Sequence, residues 1–184
     1  IEPAAPSNTA RIEAAAKCRS WNVPTRLKFK PVIPVRGWRE GYAKTIEEVF
    51  RHDPPETIGF CVIMWLPLQE VGRRIPLDQL DPEYVEAARA AEDRMKDVRT
   101  GPFPPEVRAD IYRFLIGQVR RWDKDIPLYI STESREMWAE LQDELGQKPG
   151  HFRCGCNPVQ LPGGRLKCSH EIMRSTWVAP DEVD

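Results

Sequence analysis

The residues with the clearest potential for chemistry lie near the end of the chain. Three cysteines and a histidine fall within 17 positions, as Cys154-Gly155-Cys156 and Cys168-Ser169-His170. Turn-forming residues at 157–158 and 162–164 separate the two pairs and would fold one pair onto the other. Cysteines one residue apart are poorly placed to bridge each other, whereas thiolates and an imidazole suit a tetrahedral metal site. We therefore predict that Cys154, Cys156, Cys168 and His170 are metal ligands.

The identity of this metal stays open. The one-residue spacing is shorter than the roughly two to four residues usual in structural zinc sites, although the histidine suits zinc. Three thiolates suffice for an iron–sulfur cluster if His170 or an outside ligand takes the fourth position. Free thiols on a flexible tail are the alternative. The five cysteines, an odd number, suit reduced thiols and a metal better than a disulfide framework.

A second group of polar residues lies where predicted strands end. Lys30 lies in the strand-like run from Arg26 to Pro34, and Ser131 and Glu133 lie at the end of a run over 126–132. Barrels and other α/β proteins bind their ligands at the carboxyl ends of parallel strands. We therefore expect these side chains to meet at one edge of the sheet. For each of them the alternative is an ordinary strand-end polar residue.

Arg11 joins this group because it begins a predicted helix near a strand end. Its planar guanidinium could clamp a carboxylate through two hydrogen bonds. The alternative is a solvated helix arginine, which is the usual state of this residue type. The sequence contains no Ser-His-Asp arrangement, nucleotide-binding glycine loop or helix with paired carboxylates, so no catalytic residue is assigned.

Hydrophobic spacing predicts the elements that would position these residues. Strands are predicted over 26–34, 57–65 and 126–132, and helices over 10–19, 40–51, 82–98, 105–122 and 135–145. We expect the polar helix over 82–98 to cover an edge or a site rather than to form core. Aromatic residues at helical spacing are expected in the core, namely Trp38, Tyr112, Trp122 and Trp138.

This alternation of helices and strands predicts an α/β fold with parallel strands and right-handed crossovers. Three parallel strands that follow a helix suggest a partial (β/α) barrel, open on one edge, over residues 1–148. Residues 149–184 are rich in cysteine, glycine and proline and are predicted to be a separate irregular tail. The alternative is a small three-stranded α/β domain that stands alone.

Composition limits the partners. The net charge of −1 and the pI near 6.4 create no overall field for nucleic acid, so such binding would need a local patch. The longest apolar run, 58–66, is too short to cross a bilayer, and residues 1–10 lack the features of a signal peptide. We expect a cytoplasmic protein without a membrane partner.

Three stretches carry a family resemblance: 7–14 (Ser-Asn-Thr-Ala-Arg-Ile-Glu-Ala), 28–34 (Lys-Phe-Lys-Pro-Val-Ile-Pro) and 37–42 (Gly-Trp-Arg-Glu-Gly-Tyr). Together with 104–115 and 127–138 they resemble the middle of radical S-adenosylmethionine enzymes related to spore photoproduct lyase. The resemblance implies a barrel, S-adenosylmethionine and a [4Fe-4S] cluster as cofactors, and lyase or DNA-repair chemistry. It also implies that Arg11 holds the methionine carboxylate, while Lys30, Ser131 and Glu133 line the cofactor and substrate cavity.

The sequence departs from this family in two ways. It has no Cys-x-x-x-Cys-x-x-Cys loop for the cluster, which would then come from an upstream half of the barrel or from a partner chain. Lys30-Pro31 replaces the usual acidic residue before proline, and Trp65-Leu66 replaces an arginine-containing strand end. The substrate therefore stays open, with nucleic acid as one candidate. The alternative function is a non-catalytic α/β binding or assembly module with a structural zinc knuckle.

Overall fold

The computed structural model describes residues 5–52 and 54–148. Within these ranges the chain is an α/β protein whose parallel sheet is open. Its three strands are β1 (Arg26–Val32), β2 (Thr57–Val62) and β3 (Leu128–Ile130), and they pair in the order β1-β2-β3. The predicted strand positions and the parallel pairing are confirmed. The tail over 149–184 lies outside the described residues, so its predicted metal site stays a prediction.

Helices occupy the connections. They are α1 (Asn8–Ser20), α2 (Trp38–His52), α3 (Leu68–Arg74), α4 (Pro82–Ala90), α5 (Glu92–Met95), α6 (Pro105–Arg120), α7 (Arg135–Glu140) and α8 (Gln142–Leu145). Serine side chains cap two of them, since Ser7 accepts from Ala10 N at 3.1 Å and Ser134 accepts from Met137 N at 3.2 Å. No helix among the described residues is long and apolar enough to cross a membrane.

The helices α1, α2 and α6 form one layer, because α1 packs on α2 and α2 packs on α6. Trp38 of α2 meets Phe114 of α6 with ring centroids 5.0 Å apart. Beneath them, Phe29 of β1 stacks on Phe60 of β2 at 5.6 Å. All six residues of β2 are buried, as expected for the central strand of a parallel sheet. The hydrophobic core therefore lies between β2 and this helix layer.

Two expectations about the core were wrong. The segment 82–98 breaks at Ala91 into α4 and α5, and α4 places Tyr84 and Val85 in the main hydrophobic cluster rather than only over an edge. Trp122 is 47% exposed because α6 ends at Arg120, so the apolar stripe of the helix stops short of it. The Trp122 ring instead stacks on Phe50 at 6.1 Å. Trp38, Tyr112 and Trp138 are buried, as predicted.

Gly59 occupies the centre of the sheet, in register between Lys28 of β1 and Tyr129 of β3. The Tyr129 ring lies over this glycine. A Cβ at position 59 would lie 2.6 Å from the Tyr129 hydroxyl oxygen and closer still to two ring carbons. The ammonium of Lys28 sits 5.9 Å from the centroid of the same ring. The missing side chain of Gly59 thus lets Lys28 and Tyr129 meet across the central strand.

Replacing Gly59 by alanine should lower the free energy of unfolding by about 1–3 kcal/mol, because the Tyr129 ring must leave its position. Urea denaturation measures this loss. Gly41→Ala, in α2 with no atom within 4 Å of the new methyl group, is the matched control and should be neutral or slightly stabilising. Equal stability of Gly59→Ala and the unmodified protein would contradict the packing described.

Candidate functional site

The carboxyl edge of the sheet carries two strained residues. Trp65 follows β2 and Thr132 follows β3, and both have left-handed backbone conformations, with φ of 70° and 69°. Such angles are uncommon for bulky or β-branched residues and cost on the order of 1–3 kcal/mol each. Strain of this kind persists only where the surroundings impose it, and it clusters at functional sites. This edge is therefore the candidate site.

Ser131 is held at this edge by a hydrogen-bond network. Lys28 reaches over β2 and donates from Nζ to Ser131 Oγ at 2.9 Å. The Ser131 hydroxyl also lies 3.2 Å from Thr132 Oγ1, and its backbone N donates to Phe60 O at 2.8 Å. Ser131 is fully buried. The network links all three strands, while the role of Ser131 as a cofactor ligand stays a prediction.

Cys61 lies below the same network, buried near the end of β2. Burial raises the pKa of its thiol above the ordinary 9.0, and the positive charge of Lys30, a hydrogen bond with Thr132 and the charge of Lys28 only partly oppose this. The thiol is therefore protonated at neutral pH. A buried, protonated thiol is a poor nucleophile and a poor metal ligand.

Glu133 is fully engaged by its neighbours. Its side chain has no exposed surface and that of Arg108, on α6, is 2% exposed. Arg108 donates from Nε to Oε1 at 2.9 Å and from Nη2 to Oε2 at 3.3 Å, so the pair is bidentate. The Tyr112 hydroxyl donates to Oε1 at 2.9 Å and itself accepts from Val62 N at 3.2 Å. The contacts of Glu133 are those of a residue that holds the strand ends together.

Burial raises the pKa of Tyr112 well above its ordinary value, and the nearby negative charge of Glu133 raises it further. The phenol therefore stays protonated and keeps donating to the carboxylate. Arg108 also donates from Nη1 to Phe103 O at 2.6 Å. The guanidinium thus ties the loop before α6 to the end of β3.

Arg11 and Lys30 line one cleft beside β1. The cleft, of about 940 Å³, lies between the start of α1, the carboxyl end of β1 and the start of α2. Lys28 and Arg36 line it too, and none of its described lining residues is Asp or Glu. Its electrostatic environment therefore favours anions. Of the four predicted ligands, Arg11 and Lys30 share this cleft, whereas Ser131 and Glu133 are buried in the networks described above.

A tyrosine forms part of the cleft wall. The hydroxyl of Tyr42 accepts from Ile33 N at 3.0 Å and so supports the turn that follows β1. Burial raises the pKa of Tyr42, although the hydrogen bond from Ile33 opposes this in part. The phenol is therefore neutral at ordinary pH and adds no negative charge to a cleft lined by cations.

Trp65 lines a second, smaller cleft, and Lys30 lies beside its indole. Its indole is 48% exposed, with Lys30 Nζ at 5.2 Å and Arg99 Cζ at 5.6 Å from a ring centroid. The backbone N of Trp65 donates to Arg99 O at 3.2 Å. The cleft measures about 660 Å³, and Lys96 also lines it.

Sequence reasoning missed Lys28, Arg99 and Arg108 as members of this edge. Lys28 could have been found, because it alternates with Lys30 and alternate strand residues share a face. Arg99 lies in an irregular loop and Arg108 inside an apolar helix stripe, where no local pattern signals a polar role.

No group of three or more His, Cys, Asp or Glu within residues 5–52 and 54–148 is arranged to hold a metal ion. Cys154, Cys156, Cys168 and His170 lie outside those ranges, and their role stays a prediction. No family model, curated protein or solved structure matches the chain.

Replacing Arg108 by methionine should lower the free energy of unfolding by about 3–5 kcal/mol, because Glu133 would remain buried without its partner. The control is Arg113→Met on the same helix. Arg113 pairs with Glu140 and Glu144 at the surface, and its loss should cost at most about 1 kcal/mol. Chemical denaturation compares the two variants, and equal losses would argue against a buried ion pair.

The free energy of unfolding should fall as the pH rises above 9, by up to about 1.4 kcal/mol per pH unit for each group. The unfolded chain releases the Cys61 proton near the ordinary thiol pKa of 9.0, while the folded chain retains this proton to higher pH. The contribution is thus complete below pH 9 and is lost as the pH rises towards the raised pKa. Tyr112 adds a further decline in the free energy of unfolding above its ordinary pKa of 10.0.

Urea denaturation from neutral pH to about pH 11 measures this slope. Cys61→Ala should remove the part of the decline that begins near pH 9.0. Tyr112→Phe should remove the part that begins near pH 10.0. A Cys61→Ala protein with the same slope as the unmodified chain would show that the thiol is not linked to folding.

Proposed function

We propose that this chain is the carboxyl-terminal half of a radical S-adenosylmethionine enzyme related to spore photoproduct lyase. The observation that carries the proposal is the sheet order β1-β2-β3 beneath one helix layer, with cationic side chains at its carboxyl edge. Parallel strands that pair in sequence order are the repeating arrangement of a (β/α) barrel. The resemblance over 7–14, 28–34, 37–42, 104–115 and 127–138 supports the same family.

The proposal includes a partner for the edge of β1. Within the described residues β1 pairs only with β2, so the backbone groups of its other edge are available to a further strand. We propose that the upstream half of the barrel, in the same polypeptide or in a partner chain, supplies that strand. Closure of the barrel would also need a strand beside β3, which pairs only with β2 among the described residues.

The cluster and S-adenosylmethionine fit this chain differently. The chain has no Cys-x-x-x-Cys-x-x-Cys loop, so its residues do not fit the [4Fe-4S] cluster, which the upstream half would hold. S-adenosylmethionine carries a carboxylate that fits the cleft beside β1, where Arg11 could hold it and where Lys30 and Arg36 add positive charge. When bound, the cofactor supplies one-electron chemistry to the substrate.

The remaining residues of the edge would position this ligand. The network of Lys28, Ser131 and Thr132 fixes the strand ends, and the Arg108–Glu133 pair fixes α6 against them. In the tail, Cys154, Cys156, Cys168 and His170 are proposed to hold an auxiliary iron–sulfur cluster or zinc. The substrate stays open, with nucleic acid as one candidate.

Titration calorimetry of the full chain with S-adenosylmethionine tests the cofactor site. Arg11→Met should weaken binding about tenfold or more, because a charge-assisted contact to the carboxylate contributes roughly 1.5–3 kcal/mol. Lys17→Met, on the same helix but not among the cleft residues, is the control and should leave the affinity unchanged. Equal affinity of the Arg11→Met and unmodified chains would reject this site.

Enzyme activity is tested after anaerobic reconstitution with the polypeptide encoded upstream. The proposal expects 5′-deoxyadenosine to form from S-adenosylmethionine when dithionite is added. Absence of this product, together with zinc but no iron in the protein, would favour the binding or assembly module instead.

A further inference from the structure

Trp65 and Arg99 have no role in the proposed function, and Lys30, which lines the proposed cofactor cleft, also lies beside the Trp65 indole. Lys30 Nζ and Arg99 Cζ lie 5.2 and 5.6 Å from the indole, so the two positive charges are no more than about 11 Å apart. A backbone hydrogen bond from Trp65 N to Arg99 O holds the two loops together. The indole, the ammonium and the guanidinium thus form one arrangement, here called the Trp65 subsite.

The two cations of the Trp65 subsite lack a carboxylate partner within the described part of the chain. Several arginines elsewhere in it pair with carboxylates, as Arg94 does with Glu106 at 2.6 Å. Contact with an indole at an exposed site contributes only about 0.5–1 kcal/mol and leaves the positive charge un-neutralised. Lys30 and Arg99 therefore both flank the Trp65 indole, and no carboxylate of the described residues pairs with either charge.

We propose that the Trp65 subsite binds the anionic group of a small molecule, a carboxylate or a phosphate. Both groups accept charge-assisted hydrogen bonds from a guanidinium and an ammonium. The half-exposed indole adds an apolar surface for the body of the ligand. This site goes beyond the proposed function and does not depend on it.

The cleft beside the subsite limits the size and charge of the ligand. Its volume of about 660 Å³ lies in the range of small-molecule sites. Three acidic residues also line it, Glu92, Asp93 and Asp97. They would repel a chain of phosphates that extended from the subsite. The charges therefore favour a ligand with one anionic group at the Trp65 end over a nucleic-acid backbone.

Nuclear magnetic resonance of the ¹⁵N-labelled full chain tests this proposal. The Trp65 indole N–H signal is assigned by its loss in Trp65→Phe and is followed during titration with inorganic phosphate and, separately, with acetate. At least one of them should give a saturable shift, and sodium chloride at matched ionic strength should not. Saturation by phosphate alone would assign the site to phosphate, and saturation by acetate alone to carboxylate.

Matched variants identify the residues responsible. Lys30→Met and Arg99→Met should each raise the dissociation constant about tenfold, as expected for the loss of a charge-assisted contact. Lys96 lines the same cleft but does not contact the indole. Lys96→Met should therefore change the dissociation constant by less than about twofold. The remaining indole signals of each variant show that it is folded.

Three results would overturn the proposal. The first is an equal shift of the Trp65 signal in phosphate, acetate and chloride, and the second is an effect of Lys96→Met as large as that of Lys30→Met. The third is saturation by single-stranded oligothymidylate at a far lower concentration than by phosphate. The last would indicate a nucleic-acid surface. Loss of S-adenosylmethionine binding in Arg11→Met with an unchanged phosphate titration would separate this subsite from the proposed cofactor cleft.

Discussion

The carboxylate of Glu133 is the group on which the arrangement of the strand ends depends. A buried charge is strongly destabilising unless it is paired and hydrogen-bonded, so burial of Glu133 requires Arg108 and Tyr112 to keep their places. Both partners lie on α6, and Tyr112 also accepts from Val62 N at the end of β2. One carboxylate therefore fixes α6, the end of β2 and the end of β3 relative to one another.

The arrangement of the polar residues at this edge depends on that interaction. Thr132 directly precedes Glu133 and keeps an unfavourable left-handed conformation while its neighbours on both sides are held, Ser131 by Lys28 and Glu133 by Arg108. Gly59 is equally necessary, because only a residue without a side chain lets Tyr129 and Lys28 meet over the central strand. Packing and hydrogen bonding thus stabilise a local geometry that the backbone alone would not adopt.

Local charge placement matters more here than total charge. The chain carries 27 basic and 28 acidic residues, yet the described lining of the cleft beside β1 includes Arg11, Lys28, Lys30 and Arg36. Lys30 lines this cleft and also contacts Trp65, so one lysine lies between the proposed cofactor cleft and the Trp65 subsite. Screening over about 10 Å at moderate ionic strength keeps such fields local, which is why a chain of almost no net charge can still attract an anion at one edge.

Much of the fold could be predicted from the sequence, because the signals were local. The strands and the helices α1, α2 and α6 follow from the spacing of apolar residues, and caps such as Ser7 and Ser134 follow from side chains that bond the nearby backbone. The placement of polar residues at strand ends also followed, since parallel strands present their carboxyl ends at one edge.

The sequence by itself determined the three strands, the long helices and the parallel pairing, and only the tertiary structure decided which polar groups meet. Ser131 bonds Lys28 across 103 positions, and Glu133 bonds Arg108 across 25. The sequence predicted α4 outside the core, but packing against neighbouring elements buries it there. The sequence predicted Trp122 inside the core, but α6 ends before it and leaves it exposed. The physical reason is that periodicity reports the burial of a face, whereas the partner of a charge depends on which distant element comes within about 3 Å of it.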